Sequence, residues 1–280
     1  MAFANPANFS PMKIKDFIPP DKLKWNALSR NPNAIHLLEQ NPEKISYYML
    51  SKNPNAIHLL ERNLDKISYY MLSKNPNAIH LLERNPDKIN WYMLSKNPNA
   101  IHLLEKNPDK INWMWLSLNP NAIHILERNL DKINWYMLSK NPNAIHLLEQ
   151  NPDKINWYML SANPNAIHLF ERNSDINNPY SHISWSMISM NRNAIHMLEQ
   201  NPEKINWQGM SNNPNAIHLL EQEPDKINWI YLSANPSIFE IDYKALEDRC
   251  AIFKEELIMH VFHPLRIKRY LDMGIDIDDL

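Results

Sequence analysis

A 22-residue unit, "NPNAIHLLERNPDKINWYMLSK" at residues 75–96, recurs with small changes along most of the chain, and this recurrence constrains the fold more than any other feature. Full copies begin at Asn31, Asn53, Asn75, Asn97, Asn119, Asn141, Asn163, Asn191 and Asn213, and a half copy, "PDKLKWNALSR", occupies residues 20–30. A fixed period of about 20 to 50 residues marks a stacked array, in which each unit is covered by the units on either side. Positions within a copy are counted from place 1 to place 22.

The unit carries Asn-Pro twice, ten residues apart. Asparagine is a strong N-cap, and proline is welcome at the first helical position, where its missing N–H is not needed. Two helices of about 8 to 10 residues are therefore expected to start at these pairs, each too short to be stable alone in water. The second Asn also ends the first helix, because a residue before proline is driven out of the α region. At 100° per residue, Ala78, Ile79, Leu81 and Leu82 share one side of the first helix, opposite His80, Glu83 and Arg84. On the second helix Trp91 and Leu94 share a side with Asn90 and Ser95 and form the expected seam. Tyr92, Met93 and Lys96 lie opposite, with Ile89 in the middle of that side.

The expected fold is all-α: an α-solenoid of tandem 22-residue two-helix repeats with N- and C-terminal caps, right-handed by analogy with other helical-pair arrays and about 9 to 10 Å per repeat. Residues 1–30 read as the N-terminal cap with its half repeat, and residues 31–234 as nine repeats with a six-residue insertion in the seventh. Residues 235–280 read as a helical C-terminal cap, broken at His263-Pro264. Threonine is absent and valine occurs once, at Val261, which disfavours sheet. The only glycines are Gly209 and Gly274, so phosphate-cradling glycine loops are excluded.

A chain of 280 residues, 44% hydrophobic and 21% charged, is balanced for a packed fold. Its net charge of -2 and pI near 6.6 argue against a surface built throughout for phosphates, although a local basic stripe survives such a total. Cys250 is alone, so there is no internal disulfide and no CxxC. No apolar run reaches signal-peptide or membrane-span length, so the chain reads as intracellular with no membrane partner.

With "NPNAIHLLE", "NPDKINWYMLS" and the tail "CAIFKEELIMHVFHPLRIKRYLDMGIDIDDL", residues 20–280 resemble the tandem-repeat proteins that large nucleocytoplasmic DNA viruses encode in many copies, which are mostly uncharacterised. The resemblance implies a viral protein in the host cytoplasm of an infected cell, or in the virion. It implies no activity and no functional residues.

Nine histidines occupy place 6: His36, His58, His80, His102, His124, His146, His168, His196 and His218. Neighbours about 9 Å apart cannot share an ion whose Zn–N bonds are about 2.0 Å. Each imidazole is instead expected to hydrogen-bond the backbone or an asparagine of an adjacent repeat. Places that differ between copies are more informative than those that do not. Places 18, 19 and 22 of the second helix vary and share a side, as a binding surface would. Packing between repeats with a solvated lysine edge is the competing reading. Basic residues at places 10 and 22 are concentrated in the first two thirds of the array. The partner-binding candidates are Tyr48, Lys52, Tyr70, Lys74, Tyr92, Met93, Lys96, Met114, Trp115, Tyr136, Lys140, Tyr158, Gln208 and Tyr231, with Tyr180 and His182 from the insertion.

The leading functional reading is a non-enzymatic scaffold, monomeric or weakly oligomeric, that holds a host or viral protein or peptide along a concave groove. The alternative is a single-stranded nucleic-acid binder with about one base per repeat. Against it, every copy carries Glu at place 9, such as Glu83, and nearly all carry Asp or Glu at place 13, such as Asp87. A remote alternative is metal-dependent activity in the C-terminal cap, where Glu256, His260 and His263 share a helix face, with Cys250 before them. No catalytic constellation recurs, and no cofactor or metal is assigned.

Overall fold

A computed structural model describes residues 11–172 and 183–274. Residues Asp16–Ile238 form one compact unit, and the two ends of the chain form another.

The copy at Asn75 shows how the unit folds. Asn75 Oδ1 accepts from the Asn77 N–H at 3.0 Å, closing a turn that delivers the α-helix Ile79–Glu83. A 3-10 turn, Pro86–Lys88, follows, then extended Ile89 and Asn90, then the α-helix Trp91–Leu94. The α-helices in the copies are thus four to six residues long, shorter than expected from the sequence.

The second Asn-Pro pair does not start the second α-helix. Asn85 makes no side-chain cap; its Nδ2 donates back to the Leu81 carbonyl at 3.0 Å and closes the first helix. The Asn90 N–H is drawn across to Ser73 Oγ of the preceding copy, 3.0 Å away, which holds Ile89 and Asn90 extended. The N-cap is therefore Asn90, whose Oδ1 accepts from the Met93 N–H at 2.9 Å.

Two polar ladders join one layer to the next. Asn53 Nδ2 donates to the carbonyls of Ser29 and Asn31 in the preceding layer, and each later place-1 asparagine repeats this pair of bonds. Ser51 Oγ donates to the Tyr47 carbonyl and accepts from the Ser68 N–H of the following layer. These asparagines and serines are buried, as are Leu94 and its counterparts and the place-4 alanines. A buried amide is stable only when its donors are used, so the ladders hold the layers in register as well as together.

The ladders close into a ring. Asn31 Nδ2 donates to the carbonyls of Ser233 and Asn235, at 3.0 and 2.9 Å. The Lys24 N–H donates to Ser233 Oγ at 2.9 Å, and Asn33 Nδ2 to the Pro236 carbonyl at 2.9 Å. These bonds repeat, atom for atom, those between successive copies. The helix Trp25–Ser29 accordingly packs on both Tyr47–Leu50 and Trp229–Ser233. The half copy therefore completes a layer that begins at Asn235. The solenoid in this unit has no free end and needs no polar cap, much as a barrel removes its edges by closing. The six-residue insertion leaves the ring intact: Asn191 Nδ2 still reaches the carbonyls of Ser161 and Asn163, both at 3.0 Å.

The end unit joins the two segments that the sequence assigned to opposite caps. Strands Met12–Ile14 and Phe239–Ile241 pair antiparallel, a short ribbon in an otherwise helical chain. Lys15 and Lys13 reach Glu240 at 3.0 and 3.2 Å, and these bonds hold its carboxyl below the ordinary carboxylate range. Asp242 caps the helix Tyr243–Val261, and His263 Nδ1 accepts from the Leu265 N–H at the start of Pro264–Asp272.

Candidate functional site

The variable places of the second helices come together on one band. Second helices pack on one another, Trp25–Ser29 on Tyr47–Leu50 and Trp229–Ser233 and Trp207–Ser211 on Trp185–Met190 and Trp229–Ser233, and the charge coupling of their place-22 side chains across three layers puts them on the inner wall of the ring.

Tyr48, Tyr70, Tyr92, Tyr136 and Tyr158, all at place 18, are 40–48% exposed. Adjacent copies meet through this band. The rings of Tyr92 and Trp115 pack edge to face at 5.4 Å, and Gln208 Nε2 donates to Tyr231 Oη at 2.9 Å. Met93 and Met114 are half-buried beside them. Tyr180 and His182 lie outside the described residues.

Place 22 holds the cations Lys52, Lys74, Lys96 and Lys140, and the half copy adds Arg30, which the sequence reading did not include. Aligning that half copy with the others would have found it. Lys140 feels the charge of Lys74, three copies away, and Lys96 feels Lys74, Lys140 and Lys52. In an open stack, three layers would separate such residues by roughly 27–30 Å, far beyond the screening length of about 8 Å. Convergence on the inside of a closed ring explains the coupling. Burial, then Lys74 and Arg30, push the Lys52 ammonium down to about 8. Burial, then chiefly Lys74 and Lys140, push Lys96 down to about 7. The Lys96 ammonium also lies 5.0 Å from the centre of the Trp115 ring, whose buried indole N–H has no acceptor.

Seven of the place-6 histidines face carboxylates, not the backbone or asparagines expected from the sequence, whereas His36 keeps a backbone hydrogen bond at Asn33 of its own copy. His58 Nε2 lies 2.8 Å from Glu39 Oε1 of the preceding copy, and His80, His102, His124 and His146 repeat the pair with Glu61, Glu83, Glu105 and Glu127. A carboxylate is the stronger acceptor, and the place-9 side chain lies one layer back on the same helix face. Trp91, expected in the buried seam, is only half-buried. Its ring is covered by the Lys110 ammonium at 5.1 Å, while Leu94 and Ser95 fill the seam.

Among the described residues, no three His, Cys, Asp or Glu side chains are grouped to hold a metal ion, and no helix is long and apolar enough to cross a membrane. Cys250 is free and exposed. No protein-family model, curated protein or solved structure matches the chain. Fold and site together define a class: a closed ring of tandem two-helix repeats with aromatic and cationic side chains on its inner band.

Proposed function

We propose that the protein is a non-enzymatic scaffold that holds a protein or peptide partner against the band of place-18, place-19 and place-22 side chains. One observation carries this reading: the division of labour within the copies. Places 1 and 21 keep Asn and Ser around the ring because each spends its bonds on a neighbouring layer. Places 18, 19 and 22 change from copy to copy and are half-buried or exposed at most copies, as a surface selected for specificity would be. Five exposed tyrosines on a stiff frame offer contact area at low entropic cost on binding. The resemblance to giant-virus repeat proteins points to a host or viral partner met in the infected cell.

Selection of a random peptide library on the immobilised protein tests this. Enriched peptides should lose most of their binding to a Tyr92→Ser, Tyr136→Ser variant, since interface tyrosines commonly contribute about 1–2 kcal/mol or more each. Failure to enrich any sequence, or enriched peptides indifferent to these changes, would count against the scaffold reading. Single-stranded nucleic acid has the place-22 cations in its favour. Their confinement to part of the ring, and the Glu at place 9 of every copy, weigh against a strand tracked copy by copy.

A further inference from the structure

We infer that the inside of the ring, at place 22, is a binding site for a compact polyanion: a small molecule carrying several phosphoryl groups close together. The inference rests on ring closure, not on the protein-partner reading, and stands whether or not a partner docks on the tyrosine row.

Four lysines and Arg30 occupy one place of five layers, and the closed backbone denies them the freedom to spread apart. Among the described residues none of the five has an ion-pair partner, whereas Lys13 and Lys15 bind Glu240 and seven of the place-6 histidines face glutamates. The carboxylates of each copy, such as Glu83 and Asp87, are exposed on the first helix and the 3-10 turn, away from the inner wall. Mutual repulsion among converging, partly desolvated cations is unfavourable unless a counter-charge enters. The Trp115 ring, 5.0 Å from the Lys96 ammonium, lines the same place.

The arrangement also limits the size of the guest. Lys140 feels the charge of Lys74 across three layers, so the two side chains face a common space inside the ring that one compact guest can enter. The remaining place-22 residues, Leu118, Ala162, Met190, Asn212 and Ala234, carry no charge. A long strand following all the layers would be held on only part of its path, while a cluster of phosphates is held by the cationic arc alone. Lysine and arginine suit this task, giving charge-assisted bonds to phosphate oxygens.

Calorimetric titration of the full chain with myo-inositol hexakisphosphate, tripolyphosphate and a 20-nucleotide single strand, at about 50 mM salt, tests the site. The expected result is one hexakisphosphate per chain, weakened about tenfold or more by Lys96→Met and further by Lys74→Met with Lys96→Met, since bonds to charged groups are worth that much. Methionine and leucine already stand at this place, at Met190 and Leu118, so the variants should fold; a melting curve at or above that of the wild type confirms it. Lys110→Met, on the turn between the helices, should leave binding unchanged. Tyr158→Ser, in the exposed tyrosine row of a copy whose place 22 is the uncharged Ala162, should also leave it unchanged, which separates this site from the partner surface. Absence of binding by both small polyanions would overturn the inference. So would binding indifferent to the double variant, or tighter binding of the strand than of the hexakisphosphate.

Discussion

Asn31 donates its side-chain amide to the carbonyl of Asn235, 2.9 Å away and 204 residues later in the chain, with the same geometry that joins Asn97 to Asn75. First and last layers are therefore neighbours, and the array is a ring with equivalent joints.

Equivalent joints should weaken equally. Asn31→Ala and Asn119→Ala each strip two buried carbonyls of a donor, and each is expected to destabilise the protein by about 2–4 kcal/mol in urea unfolding. A loss confined to Asn119→Ala would show that the joint at Asn31 does not form.

Leu94→Ala should be more damaging than Trp91→Ala. Leu94 is fully buried, and its truncation is expected to cost about 2–5 kcal/mol. Trp91 is half-buried beneath a lysine, so its loss removes partial burial and a cation–π contact, together about 1–3 kcal/mol. Thermal melting of the two variants ranks them, and a larger drop for Trp91→Ala would refute this packing.

Much of this was legible in advance. The 22-residue period, the core leucines and the place-4 alanines follow from helical spacing. The true N-cap was hidden, because Asn90 and Asn85 are equally good caps in isolation and only the pull of Ser73 on the Asn90 backbone decides between them. Ring closure was hidden for a different reason. Identical copies specify how a layer meets its neighbour but not how many layers return to the start. The one clue was that Asn235-Pro236 opens a further copy which residues 20–30 could finish.

Lys96 should make the protein's stability depend on pH. Its folded pKa, about 7, lies below the ordinary 10.5, so the unfolded chain binds the proton more tightly. Stability therefore rises as pH climbs from about 7 towards 10.5, and this contribution is flat below 7, where both states are protonated. Lys96→Met should melt higher than wild type at pH 7, and the difference should shrink by pH 9. Lys74, Lys52 and Lys140 are the charges facing this group. A gap that widens with pH would contradict the account.

Gly209→Ala should destabilise the protein although alanine is the better helix former by about 1 kcal/mol. A Cβ there would stand 3.0 Å from Met190 Cγ and 3.0 Å from the Ser186 carbonyl oxygen, where Trp207–Ser211 approaches Trp185–Met190. Overpacking of this kind costs about 1–3 kcal/mol, and urea unfolding should show a net loss. A net gain would mean the two helices are free to separate.

Closure itself is read most directly by native-state hydrogen exchange at one amide. The Lys24 N–H bonds to Ser233 Oγ across the joint, as the Asn90 N–H bonds to Ser73 Oγ within the array. A closed ring predicts comparable protection, within about tenfold, for both amides. A Lys24 amide exchanging at the unprotected rate, while that of Asn90 stays protected, would show an open array.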